Sequence, residues 1–77
     1  MNSLDHLIYM ANQIARNFAT LKEADATAAV AEHIRDFWDP RMKSMIFAHM
    51  DAGGAGLKPL TRAALDQLTK GNGHIAA

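Results

Sequence analysis

Hydrophobic residues recur at spacings of three and four along most of this chain, the period of an α-helix with one buried face. Leu4, Leu7, Ile8, Ala11, Ile14, Ala15 and Phe18 share such a face, which predicts a first helix from about Leu4 to Leu21. Met10 and Leu21 flank the face, and Tyr9 falls on the polar side with His6, Asn12, Gln13, Arg16 and Asn17. Ser3 is placed to cap this helix, and Asp5 lies in its first turn, where the helix dipole favours a carboxylate. A polar break at Lys22 to Asp25 follows, with Asp25 and Thr27 as candidate caps for a second helix, about Ala26 to Trp38. That helix puts Ala26, Val30, Ile34 and Phe37 on one face, Ala31 and Trp38 on one flank and His33 on the other. Glu32, Arg35 and Asp36 cover its outside. Glu32 and Asp36 are like charges at helical spacing, a slightly unfavourable pair that Arg35 partly offsets.

The sharpest local signal is Asp39-Pro40. Proline suits the first helical position, where its missing N–H costs nothing, and it drives the preceding residue out of the α region. The second helix must therefore end near Trp38, and the Asp39 carboxylate caps a third helix from Pro40 to about Ala52. Met42, Met45, Ile46, His49 and Met50 share the apolar face of that helix, and Phe47 points away from it. Gly53-Gly54-Ala55-Gly56 ends it, because glycine turns a chain through positive φ after a helix. Leu57 is expected to pack back on the body. Pro59 opens a shorter fourth helix to about Lys70, with Leu60, Ala64, Leu65 and Leu68 inward and Arg62, Asp66 and Lys70 outward; Gly71-Asn72-Gly73 predicts its stop. The expected fold is all-α, a small bundle of three to four short helices, with residues 1–70 as a single helical domain and 71–77 as a flexible C-terminal tail.

Composition makes the core thin. A chain of 77 residues forms one small domain, and such a domain buries only about 60% of its unfolded surface. Hydrophobic residues make up 49% of the chain, but many are alanine, which favours helix and buries little. There is no cysteine, so neither a disulfide nor a thiolate metal cage reinforces the fold. A partner that shelters surplus apolar surface is the natural inference. Eight basic residues balance eight acidic ones, which argues against a general nucleic-acid binder, since that needs a basic face. No apolar run approaches the roughly 20 residues that span a bilayer. The start of the chain lacks the pattern of a signal peptide, so the expected compartment is the cytoplasm.

Candidate chemistry changes little. His6, His33, His49 and His74 are not paired at helical spacing, and no His-Glu-x-x-His motif occurs. His33 precedes Asp36 by one turn, a spacing for a local hydrogen bond, and His49 reads as a core or interface imidazole with a backbone partner. Ser3 and Ser44 lack any motif that activates a hydroxyl. The glycine run has neither the preceding strand nor the Gly-Lys-Ser/Thr of a phosphate loop. The chain is expected to be no enzyme, with no catalytic, cofactor or metal site. What remains is surface. Tyr9, Trp38 and Phe47 do not easily share one small core, and Arg35 and Arg41 bracket the bend. Tryptophan, tyrosine and arginine are frequent interface anchors. The candidate partner contacts are therefore Trp38, Arg41, Phe47, His33, Arg35 and Tyr9. The alternative places Trp38 at the end of the core and Phe47 on the fourth helix, and both readings are compatible.

Three segments carry a family resemblance: Met10-Ala11-Asn12-Gln13-Ile14 with Phe18; His33-Ile34 followed by Phe37-Trp38 and Pro40-Arg41-Met42; and His49-Met50-Asp51-Ala52-Gly53-Gly54 with Gly56-Leu57 and Pro59-Leu60. Together they reach from near the start to about Ala64. In these segments the chain resembles the small delta subunit of bacterial NAD-dependent, molybdenum-containing formate dehydrogenase. The resemblance implies a non-catalytic accessory subunit in the cytoplasm that supports assembly of the complex or retention of its molybdenum cofactor. It further implies that larger subunits hold the molybdenum–pterin centre, iron–sulfur clusters and FMN and use NAD. The implied partners are those subunits, chiefly the molybdenum-bearing alpha subunit. Two other readings stay open on the residues alone: a small helical nucleic-acid-binding module, motivated by the Asp39-Pro40 turn, and a homo-oligomer that buries its methionine faces.

Overall fold

The corner at Asp39-Pro40 forms as its residues require. In the computed structural model, which describes the backbone of residues 3–76 and the side chains of residues 3–70, α2 (Glu23–Phe37) gives way to α3 (Pro40–Asp51) within two residues. Trp38 leaves the helix with φ −89° and ψ 135°, and Asp39 stays extended while its Oδ1 accepts the Met42 N–H at 2.9 Å. A cap of this kind contributes about 1 kcal/mol. The chain therefore turns from α2 into α3 without a loop, and Trp38 is buried at the corner.

Other boundaries differ from expectation for local reasons. α1 (Ser3–Asn17) takes Ser3 as its first residue rather than as a cap, and stops at Asn17 rather than Leu21. Beyond it the Phe18 N–H donates to Ala15 O and the Leu21 N–H to Phe18 O, the tighter i→i−3 pattern of a closing turn. Leu21, released from the helix, is exposed. α2 starts at Glu23, so Asp25 and Thr27 lie inside it and do not cap it. Lys22 at the cap position offers no side-chain bond. Glu23 and Asp25 hold this start instead, by facing the positive end of the helix dipole. The Thr27 hydroxyl donates back to Glu23 O at 2.9 Å. α4 (Pro59–Ala76) continues through Gly71 and Gly73. Glycine weakens a helix by about 1 kcal/mol relative to alanine but does not forbid it. The side chains of 71–77, where a flexible tail is expected, lie outside the described residues.

The core forms where the helices cross. Val30, Ile34, Ile46 and Leu65 are its fully buried large side chains. Ala11 and Ala15 of α1, Ala31 of α2 and Ala64 of α4 fill the remaining inner positions. Their small side chains let helix axes approach, which explains how an alanine-rich chain builds an interior at all. α2 and α4 pack most closely. Leu57 is buried as expected, and Met10, Met42, Met45, Met50 and Phe47 pack half-buried around the centre. The radius of gyration is 11.7 Å, close to the roughly 11.5 Å of a compact chain this long.

The glycine loop is clasped from three sides. Gly53, Gly54 and Gly56 all have positive φ (118°, 66° and 86°). Arg62 Nη1 donates to Gly53 O at 3.0 Å and to Gly54 O at 2.9 Å, so this arginine folds back on the loop rather than pointing away. His49 Nε2 lies 2.7 Å from Ala55 O, so the imidazole has a backbone partner as expected. A carbonyl only accepts, so this bond keeps the proton on Nε2. Asn12, expected on the polar outside, reaches across from α1. Its Nδ2 donates to Gly56 O at 2.9 Å, while its Oδ1 accepts the Lys58 N–H at 3.0 Å and the Thr61 hydroxyl at 2.8 Å. One side chain thus ties α1 to the loop and to the unsatisfied start of α4.

Candidate functional site

The amphipathic faces of α1 and α3 do not close completely on each other. Between Leu7 and Met10 of α1 and Met42 and Met45 of α3 runs an open groove of about 760 Å³, with His6, Asp39 and Arg41 at its edges. A second groove of about 310 Å³ continues past Met10 and Met42 toward α2, lined by Tyr9, Ile14, His33, Phe37 and Trp38. Met10 and Met42 line both grooves and stand where the two meet, and the pair of grooves is termed the track. Methionine suits such a surface, because its unbranched chain adapts to whatever lies against it.

The expected contact residues divide on this face. Tyr9 is 56% exposed on the second groove, where Gln13 Nε2 donates to its hydroxyl at 3.4 Å. His33 lines the same groove and packs tilted against Phe37, ring centroids 4.8 Å apart and planes at 36°, instead of bonding Asp36. Trp38 is only 5% exposed and forms part of the groove's floor, so it is a core residue in this chain. Arg41 stands exposed on the first groove. Arg35 and Phe47 line neither groove: Arg35 is engaged with Asp36, and Phe47 packs half-buried against the core.

Phe37 departs from the position its helical spacing predicts. Expected on the buried face of α2, it is 74% exposed. Successive residues at a helix end diverge by about 100°, so neighbouring rings at Phe37 and Trp38 do not both face inward. Trp38 takes the inner place as the backbone extends into the corner, and Phe37 is left on the outside. The surplus of ring surface is real, but it falls on Phe37 and Tyr9 rather than on Trp38.

Charge on the outer side of α2 is locally compensated. Arg35 Nε donates to Asp36 Oδ1 at 3.0 Å, and Lys43 Nζ donates to Arg35 O at 2.8 Å. The hydrogen bond from Arg35, helped by the charges of Arg35, Lys43 and His33, holds the Asp36 carboxyl below the usual aspartate range. The Arg35 guanidinium is correspondingly raised, first by its bond to Asp36. Both groups are solvent-exposed, so the pair orders the surface more than it stabilises the fold.

A family model described as the NADH-dependent formate dehydrogenase delta subunit FdsD matches residues 6–65. The chain belongs to this family. Comparison with curated proteins and with solved structures gives no match. In this delta-subunit family member, the residues that carry the resemblance have two structural roles. Asn12, His49, Gly54 and Gly56 build the internal clasp, whereas Met10, Phe37, Arg41 and Met42 line the open track. The chain has no cysteine for an iron–sulfur cluster, and among the described residues no three His, Asp or Glu side chains converge as metal ligands. No helix among the described residues is long and apolar enough to cross a membrane.

Proposed function

We propose that this delta-subunit family member is a non-catalytic accessory subunit of a cytoplasmic formate dehydrogenase that docks on the molybdenum-bearing alpha subunit. There it supports assembly of the complex or retention of the molybdenum cofactor. The observation that carries the reading is the exposed Phe37 beside the methionine-lined track, in a chain whose family is that of the delta subunit. An aromatic ring left 74% open beside a groove is a poor arrangement for a lone domain and a good anchor for a partner. Molybdenum–pterin, iron–sulfur clusters, FMN and NAD then belong to the larger subunits, and this chain contributes surface.

Co-expression of the larger subunits with and without this chain tests the proposal. The chain is expected to co-purify with the molybdenum-bearing subunit, and the complex made without it should hold less molybdenum or form in lower yield. A chain that never co-purifies, with molybdenum content and yield unchanged in its absence, overturns the reading.

A further inference from the structure

Resting on the docking just described, we propose that the track along α1 and α3 receives an amphipathic helix of the partner subunit. Its apolar edge lies over Met10 and Met42, and one of its carboxylates pairs with Arg41. Backbone chemistry selects the helix. The track is walled by helices whose N–H and C=O groups bond within themselves, so it offers no edge for strand addition, whereas a helix brings its own backbone bonds satisfied. Dimensions agree. The residues that line the track run along α1 from Ser3 to Ile14, about 16 Å at the helical rise, which matches three turns of a partner reading i, i+4, i+7 and i+11.

The carboxylate follows from charge. Arg41 is exposed on the groove and takes part in no ion pair or side-chain hydrogen bond among the described residues. The neighbouring cations are occupied, Arg35 by Asp36 and Lys43 by Arg35 O. The one acid on the groove, Asp39, already has an oxygen on the Met42 N–H. A helix with an Asp or Glu at this end therefore meets an available guanidinium, which suits bidentate carboxylate binding.

Calorimetric titration of the purified molybdenum-bearing subunit with the full chain, at several salt concentrations, tests the proposal. Arg41→Gln is expected to weaken binding about 10-fold at low salt and to flatten its salt dependence. Met42→Lys, confirmed folded by circular dichroism, should weaken it further. Arg16→Gln, outside both grooves, should bind as the parent does. Hydrogen exchange on the partner should show protection in a segment with apolar residues at helical spacing and an acidic residue. Parent-like binding by both Arg41→Gln and Met42→Lys overturns this face while leaving the docking itself intact. Protection of a basic or β-patterned segment overturns the helix. Self-association of the chain that Met42→Lys disperses assigns the track to a second copy and also overturns the proposal. Failure of the parent chain to bind any subunit instead removes the docking reading.

Discussion

Asn12→Ala should be among the most damaging single substitutions in this chain, although Asn12 lies on the predicted polar side of its helix. The change deletes the donor to Gly56 O and the acceptor shared by the Lys58 N–H and the Thr61 hydroxyl. The first two bonds are solvent-accessible and contribute about 0.5–1 kcal/mol each. Thr61 is fully buried, so its hydroxyl loses its partner inside the protein, at a cost of about 1–3 kcal/mol. The sum is centred at about 3.5 kcal/mol. A domain of 77 residues has a total stability of about 4–12 kcal/mol. The variant should therefore lose a quarter or more of it, and its Tm should fall by roughly 14–28 °C. Urea unfolding followed by far-UV circular dichroism reads this directly. Thr61→Val in the Asn12→Ala background removes the stranded hydroxyl, so the double variant should be more stable than additivity predicts, by about 1 kcal/mol. A loss below about 0.5 kcal/mol for Asn12→Ala, or strict additivity of the pair, would show that this side chain does not tie the helices as argued.

The adjacent rings at the corner should behave oppositely. Trp38→Ala, which empties a site only 5% exposed, should cost about 3–5 kcal/mol. Phe37→Ala should leave stability within about 0.5 kcal/mol while weakening co-purification with the molybdenum-bearing subunit; equal melting temperatures for the two variants would refute the assignment. Gly54→Ala places a Cβ 2.7 Å from Arg62 Nη1 at φ +66°. The left-handed backbone alone costs about 1–2 kcal/mol, so a thermal melt unchanged from the parent would contradict the clasp. For Asp36 the sign is set by its lowered pKa: the Arg35 bond stabilises the folded chain above the unfolded aspartate pKa, and the effect disappears as pH falls through the folded value. The difference in Tm between parent and Arg35→Ala should be small at neutral pH and vanish in acid or high salt. A gap that grows in acid would rule this out.

The helical class, the Asp39-Pro40 corner, the starts of α3 and α4 and most inward positions were legible in the residues, because each follows from the helical period, from proline's fixed φ or from a capping carboxylate. These are local effects, decided within one or two turns of chain. The ends of α1 and α4 and the start of α2 were less legible, since no residue there forbids helix and the outcome depends on neighbours. The open track was visible only in part: Arg41, Tyr9 and His33 could be named from residue type, but Phe37 and Trp38 exchange roles at the bend. Which of two adjacent rings is sheltered depends on where α1 and α3 leave space, and no spacing rule contains that. The clasp was hidden for the same reason. An asparagine on a polar face carries no sign of a loop 44 residues away, and only the crossing of α1 with α4 brings its amide to the backbone groups that need it. Sequence by itself determined which segments become helices and which side chains seek shelter. Tertiary packing decided which ones obtain it, because burial and long-range hydrogen bonds belong to pairs of elements rather than to any one of them.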